Sequence, residues 1–583
     1  MRRGNKKNKF KGSANQKGLW FVQQYAPDVP LYNVVLPIQL TTPVDVSCLQ
    51  MAFKQLIDRH PMLSARFDYE DKDLYYLLSG SALFKMDQVS AKTLSAKQLQ
   101  TVIRQEAQTP FDLSRQAFRV KIYHLKRGQS ILLIVWHHII EDMLSIKILL
   151  EELSQIYTAL CEKTSPSLAA LTTSYDDYVR WQEDYINSDQ GQADLSYWQS
   201  EYAQRSTLSM LSSQSLKRNK NYEAKEITIC LNDKEKREVL AYCQQQEISI
   251  HHYLMSCLGI LLLRYVDESN VSIYSQTLGR PHLDTHNILG YFTNRVLLNL
   301  NVEGHCCFEE VIKLLGRQLS KQRKHSKFPY SLLASDFAVE GDAKVSFEYH
   351  SYPISALIQK YTTPLFQSKL YGIDEKIINH DLSLYDYADD DLHLITINHE
   401  NELALCLQYK LDFYSSDMAE QFLLHYKRVI LQGLKMPQEN VYDFSLLNAQ
   451  DYHQIVYEWN ETDKDYPRDK TIQGLFEVRV RKTPDNIALV FEGEALTYQV
   501  LNQRVNQLAR YIRKQYKEVT KTLLKPDTLI ALYLDKSLEM VIAILGILKA
   551  GGAYVPMDPS YPDERIRFML ADTQARLLLT QLQ

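Results

Sequence analysis

The 583-residue sequence contains no apolar stretch long enough to cross a bilayer; its longest apolar run covers only residues 541–548, against the roughly 18 residues a span requires. An excess of one charge is also missing. Lys plus Arg number 66 and Asp plus Glu 70, a formal net charge of -4. That balance excludes a general nucleic-acid binder, which would be strongly basic. The 8 cysteines include no C-x-x-C pair, which excludes a zinc ribbon or thioredoxin-like centre and leaves buried thiols of a reducing compartment as the reading. Arg2, Arg3, Lys6, Lys7, Lys9 and Lys11 are followed by Ser13-Ala14-Asn15-Gln16, not by the apolar core of a signal peptide. No G-x-x-x-x-G-K-[ST] phosphate loop occurs. The expectation is a cytoplasmic protein with a disordered basic N-terminus over residues 1–12, no membrane span, no metal and no nucleic-acid partner.

What is present is an ordinary globular composition, 45% hydrophobic and 23% charged. The length suggests about four compact units, fewer if the lobes are large. Residues 44–60 have helical apolar spacing, and 117–138 read as a hairpin turning at Arg127-Gly128-Gln129. Residues 144–161 return to helical spacing. A Ser- and Lys-rich stretch over 205–225 reads as a mobile connection. A second half repeats the mixture, with a strand at 226–230, a helix at 249–266 and a strand at 271–276. Polar residues around Asn460 and Pro467 mark a linker over 446–470. Beyond it, strands at 487–491, 529–534, 553–557 and 575–580 alternate with helices at 475–481, 498–516 and 538–550, an α/β pattern. The chain stops just after the last of these, which reads as an incomplete sheet.

The sharpest local feature is Trp136-His137-His138-Ile139-Ile140-Glu141-Asp142 at the end of a buried strand. Strand side chains alternate faces, so only one of His137 and His138 can look into a given cleft. A neutral imidazole there can take a proton from an attacking nucleophile. On spacing alone, a purely structural histidine pair is the commoner outcome. His251-His252 serves as a control: Ser256 stands where an aspartate would be needed. His305-Cys306-Cys307 has no partner cluster nearby in sequence and reads as a partly buried loop.

Several ordered motifs resemble the condensation domains of nonribosomal peptide synthetases. HHxxxD stands at residues 137–142. Ser13 to Trp20 is similar to S-x-A-Q-x-R-x-W, and Arg59-His60-Pro61-Met62-Leu63-Ser64-Ala65-Arg66-Phe67 to R-H-E-x-L-R-T-x-F, with Ser64 in place of the inner Arg. Tyr175 to Trp181 resembles Y-x-D-Y-A-x-W. Gly279-Arg280 with Leu289-Gly290-Tyr291-Phe292-Thr293-Asn294 looks like G-R followed by I-G-x-F-V-N, and His325 to Tyr330 like H-Q-D-Y-P-F. The C-terminal part resembles the start of an adenylation domain, through Leu496-Thr497-Tyr498 and Leu548-Lys549-Ala550-Gly551-Gly552-Ala553-Tyr554. Its phosphate-cradling Gly/Ser/Thr loop is absent, as is a carrier-protein serine motif.

The resemblance implies an α/β (α+β) fold. Two chloramphenicol-acetyltransferase-like lobes, about 13–205 and 226–445, would form a V with a tunnel, followed by an adenylation fragment over 471–583. It implies an amide-forming acyltransferase with no cofactor of its own. The substrates would arrive on phosphopantetheine arms of carrier domains, an upstream donor and a downstream acceptor acting in trans on a monomer. His138 would be the base, or would orient the amine and stabilise the tetrahedral intermediate, with His137 structural. Asp142 would pair with Arg280, and Asn294 and Trp20 would support the site. Met143, where the family has Gly, would face and narrow the tunnel. Three alternatives remain: a non-catalytic carrier-docking module, a degenerate synthetase fragment, and a starter acyltransferase using acyl-CoA. No adenylate formation is expected from this chain.

Overall fold

The computed structural model describes residues 9–40, 42–206, 222–266, 268–334, 344–361, 368–370 and 387–581. The chain divides into two compact units, 1–452 and 453–583. Within the first, two separate apolar cores define two lobes.

In the first lobe the strand Ser130–His137 lies between Asn33–Leu40 and Phe118–His124, antiparallel to both. Every residue of this strand is buried, as its unbroken run Ile131-Leu132-Leu133-Ile134-Val135-Trp136 dictates for a strand covered on both faces. The helices Val46–Arg59 and Met143–Glu162 supply apolar faces to the same core through Phe53, Leu56, Leu149 and Leu153. The hairpin and both helices fall where apolar periodicity places them.

The second lobe is built on a six-stranded sheet. Its central strand Val345–His350 runs parallel to both neighbours, Leu392–Asn398 and Asn270–Thr277, and the remaining pairs are antiparallel. The helix Ile250–Val266 is apolar almost all round and buried along nearly its whole length, as a core helix must be. The helices Phe308–His325 and Ser416–Lys435 complete this core.

The lobes are not contiguous in sequence in the way expected. Leu357 and Ile358, on the helix Ile354–Tyr361, and Ile288, Leu289 and Phe292 belong to the first lobe's core. The strand Ser368–Leu370 pairs antiparallel with Asn33–Leu40. This crossing covers a sheet edge that would otherwise present unpaired backbone groups. The N-terminus also departs from expectation. Instead of belonging to a disordered tail, residues 9–11 form a strand on Asp73–Leu78. Phe10 stacks on Tyr76 with ring centroids 5.4 Å apart, and the lysines pair with Glu70, Asp73 and Glu183. The rest of that tail, and most of the 205–225 connection, lie outside the described residues. The cysteines are not uniformly buried: Cys161 is exposed, and Cys243, Cys257 and Cys406 are buried.

In the second unit, Ile487–Phe491 and Glu494–Thr497 form a hairpin. The strand Thr528–Tyr533 lies between Gly552–Met557 and the short Leu578–Thr580, parallel to both. The helices Tyr498–Thr520 and Leu538–Ala550 bury Ile512, Ala543 and Ile547 against Ile530 and Leu532. Residues 453–470 are exposed throughout, although 449–456 are helical. Among the described residues no helix is long and apolar enough to cross a membrane.

Candidate active site

Strand Ser130–His137 ends at the lobe junction, and the backbone then makes one tight 3-10 turn before the helix Met143–Glu162. That turn sends the two histidines to different environments. His137 is fully buried. Its Nδ1 accepts from the Ile139 amide at 3.0 Å, so its proton sits on Nε2, 3.2 Å from Gln23 Oε1. Burial, reinforced by the neighbouring His138 charge, pushes its pKa down to about 3. It is a neutral imidazole at any ordinary pH.

The His138 side chain keeps 33% of its surface exposed. Its backbone amide donates to Tyr32 O at 2.8 Å. Its Nδ1 lies 2.8 Å from the Glu141 carbonyl and 3.3 Å from Glu141 Oε1. Both are acceptors, so Nδ1 carries the proton and the Nε2 lone pair is left for another partner. The Tyr291 ring, from the segment after Arg280, meets the imidazole edge-on with centroids 5.2 Å apart. Burial works to lower the His138 pKa, but the Glu141 carboxylate and carbonyl, with Asp142 beyond, outweigh it and hold it above the ordinary histidine value.

Asp142 caps the following helix. Its Oδ1 accepts from the Ser145 amide and hydroxyl, each at 2.8 Å. Both its oxygens also face Arg280 Nη2, at 2.7 and 2.9 Å. Arg280 is buried and makes several further contacts. It donates to the carbonyls of Thr285 and Ile288, and its guanidinium lies 4.0 Å from the Phe292 ring centre. Gly279 must be glycine: at φ +59° its backbone passes so close to Phe292 that a Cβ would lie 1.7 Å from the carbonyl oxygen. Ser145 Oγ lies 3.0 Å from Gly290 O and 3.2 Å from Gly290 N. The Asp142 cap is thereby tied to the Gly290-Tyr291 loop.

The opening motif reaches the same turn. Gln16 is fully buried and donates to Ile139 O at 2.8 Å. Asn15 donates to Asn294 Oδ1 at 3.1 Å, and Asn294 Nδ2 donates to the carbonyls of Ser326 and Phe328 at 2.8 and 2.7 Å. Three separately read motifs thus converge on Asn294. Tyr175 OH lies 2.7 Å from Tyr291 O and 3.1 Å from Ser13 Oγ. Trp20 stacks on Tyr69, centroids 4.8 Å apart, and packs on the first core. Ser64, in place of the inner Arg, donates to Pro61 O at 2.8 Å and accepts from the Gly80 amide at 3.1 Å. Met143 occupies the first helical position after the Asp142 cap, half-buried against the first core. Its backbone is helical, with none of the positive φ that would make a side chain there strained.

Glu141 carries no signal in the sequence, where it is a free position between motif residues. It is 1% exposed, and only the turn geometry reveals that it faces His138. Among the described residues no His, Cys, Asp and Glu group is arranged to hold a metal ion.

The condensation-domain family matches residues 6–456, and the AMP-binding enzyme family matches 476–583. The chain belongs to the condensation-domain family of nonribosomal peptide synthetases. It is a condensation domain followed by part of an AMP-binding domain. It is 30% identical to gramicidin S synthase 2 of Brevibacillus brevis over 589 residues, 98% of this chain and 12% of that protein. Bacitracin synthase 2 of Bacillus licheniformis is 26% identical over 575 residues, 98% of this chain and 21% of that protein. The chain therefore spans only a small part of these curated relatives.

Among solved structures, the four-domain nonribosomal peptide synthetase holo-AB3403, bound to AMP and glycine, superimposes with a TM-score of 0.74 at 19% identity. That match covers 98% of this chain and 43% of the other. The first condensation domain of the calcium-dependent antibiotic synthetase, in complex with a substrate analogue, gives 0.62 at 17%, over 76% and 100%. These likenesses carry the fold: two chloramphenicol-acetyltransferase-like lobes in the condensation domain, then part of an adenylation-type α/β unit.

Proposed function

We propose that this condensation domain forms an amide bond between a carrier-bound acyl or peptidyl thioester and a carrier-bound aminoacyl amine. The observation that carries the reading is the orientation of His138: Nδ1 is occupied by Glu141, and Nε2 has no hydrogen-bond partner among the described residues on a half-exposed ring at the lobe junction. The amine nitrogen attacks the thioester carbonyl carbon. The C–N bond forms, the C–S bond breaks, and the proton lost by the amine passes through His138 Nε2 to the departing thiolate. A thioester is already activated, so holding the two reactants together supplies most of the acceleration, about 7–11 kcal/mol. The base adds about 10²–10⁴-fold.

In this reading His138 is catalytic and His137 structural. Asp142, Arg280, Asn294 and Trp20 hold the junction, and Met143 borders the passage to His138. The condensation domain runs to about residue 445, and a linker leads to the adenylation segment from about 471. The chain binds no cofactor itself. Its partners are carrier domains whose phosphopantetheine arms deliver donor and acceptor, in trans, to a monomer in the cytoplasm. Residues 471–583 by themselves form no aminoacyl adenylate, because they hold the first two adenylation motifs without the phosphate-cradling loop.

The test is to offer the purified chain synthetic acyl- and aminoacyl-pantetheine pairs and look for amide product by mass spectrometry. Product formation that needs both partners is expected. Its absence with every loaded pair would remove the reading, and ATP–pyrophosphate exchange by the chain would remove the adenylation part.

A further inference from the structure

The HHxxxD pattern leaves the residue before the aspartate open, and here it is a glutamate buried against the base. A carboxylate at 1% exposure is costly unless something compensates it. The compensation is one-sided. Oε1 lies 3.3 Å from His138 Nδ1, while Oε2 is buried with no hydrogen-bond partner among the described residues. The Glu141 amide is bonded to the His138 carbonyl at 3.3 Å, so the turn itself fixes the carboxylate beside the ring. Asp142 is held by Arg280 and Ser145 and is not free to take this role.

We propose that Glu141 is a positioning residue that acts through His138: its backbone carbonyl holds the imidazole in the tautomer with hydrogen on Nδ1, and its carboxylate balances the positive charge the ring gains when Nε2 takes the proton of the attacking amine. The inference rests on the reading of His138 as the base. It deepens that reading: the base of this enzyme is a carboxylate–histidine pair, not a lone imidazole. No proton need reach the carboxylate. The proton sits on Nε2 until the thiolate leaves with it, and the charge on the ring is neutralised meanwhile.

The electrostatics bound this role, because only the ionised carboxyl can balance the charge on the ring. Burial raises the Glu141 carboxyl to about 7, opposed by the His138 charge and helped by Asp142. The titratable groups facing the pair are the neutral His137, Asp142 with its Arg280 partner, and Tyr291 from across the junction. Behind Tyr291, Arg295 and Glu348 act on its hydroxyl. Apart from Glu141, only Asp142 among these favours a charged His138, and its own charge is already met by Arg280.

Glu141→Gln keeps the shape and removes the charge. With pantetheine-loaded substrates, kcat is expected to fall about ten-fold or more with little change in KM. The acid limb of the pH–rate profile should move to lower pH, because burial then depresses the imidazole against only the Glu141 carbonyl and the Asp142 charge. On a His138→Ala background, Glu141→Gln should change the residual rate by less than about two-fold, since it has no base to act through. Equal losses on both backgrounds, or an unmoved acid limb, would overturn the pairing.

Nitrogen NMR of histidine-labelled wild-type chain reads the same claim without turnover, even if the variant fails to fold. His138 should show hydrogen on Nδ1 and titrate above free histidine. A signal with hydrogen on Nε2, or a midpoint at or below free histidine, would overturn the pairing. If instead the NMR behaves as expected but His138→Ala turns over normally, the carboxylate–histidine pair stands and the assignment of His138 as base fails.

Discussion

The same dipeptide, His-His, occurs at 137–138 and at 251–252, and the two regions treat it in opposite ways. At the helix start, both rings are drawn into the second lobe. His252 bonds the Ile312 carbonyl at 2.8 Å and His251 packs on Phe347. Burial lowers both, His251 to about 4, and no carboxylate opposes it. At the strand end, one ring is buried and depressed while its neighbour is half-exposed and raised. The difference lies in the residues just after each pair. A single 3-10 turn brings Glu141 back onto His138 and starts a helix capped by Asp142, whereas the helix at 250–266 carries Met255 and Ser256 at the next turn. Only at the strand end does the backbone return acidic groups to one of the two rings.

The strongest way to break this contrast is His138→Ala. Amide formation with loaded substrates should fall about 10²–10⁴-fold with unfolding unchanged. Wild-type turnover with slow donors would make the strand-end pair no different from the helix-start pair. Next in size is the Asp142–Arg280 contact. Removing one member of a buried pair typically costs about 3–5 kcal/mol. Asp142→Ala should therefore lower the thermal midpoint sharply and release the Gly290-Tyr291 loop, and a midpoint unchanged by calorimetry would show that neither the pair nor the cap stabilises the junction.

How much of this is readable without coordinates follows a physical rule. The buried strand at 130–137 and the helices beside it are set by local apolar period, which the sequence displays directly. The motif residues are also legible, and the structure brings Gln16, Asn15, His138, Arg280 and Asn294 to one junction. What stays hidden is non-local or depends on burial. Ser368–Leu370 is only three residues long, and its partner strand lies more than three hundred residues earlier. Lys9–Lys11 looks like a solvated basic tail until Phe10 finds Tyr76. Glu141 looks like surface charge, since a sequence does not show that the turn folds its side chain inward.

A smaller effect sharpens the same contrast through pH. His137 sits at about 3 in the folded chain, far below a free histidine at 6.5. A depressed value of this kind stabilises the fold fully above the free value, and that contribution is lost as pH falls through 6.5 towards the folded value. His137→Ala should cost about 2–4 kcal/mol at pH 7.5, through a cavity and through the stranded Gln23 and Ile139 groups. The difference from wild type should shrink as pH is lowered to about 5. A denaturant midpoint gap that stays constant with pH would show that His137 is not held neutral. His252→Ala, by contrast, should cost only about 1 kcal/mol, with turnover unchanged; a loss of turnover would place the helix-start pair in the chemistry.

The smallest expected change is at Met143, the residue next to the Asp142 cap. Its side chain is divided: part packs on the first core, and the rest is accessible beside the junction. Met143→Gly removes both parts. Loss of the packed part, with glycine's backbone entropy, should lower stability by about 1 kcal/mol. Loss of the accessible part should widen the approach to His138 and raise the rate by about two-fold with bulky acceptors, with no change for small ones. Met143→Ala separates the two, because alanine restores helix propensity while still removing the thioether. If both variants lose stability and no acceptor of any size reacts faster, Met143 serves only to fill the core. If bulky acceptors gain and small ones do not, the residue sets which amines reach the half-exposed ring, a selectivity for which the half-buried helix-start pair has no counterpart.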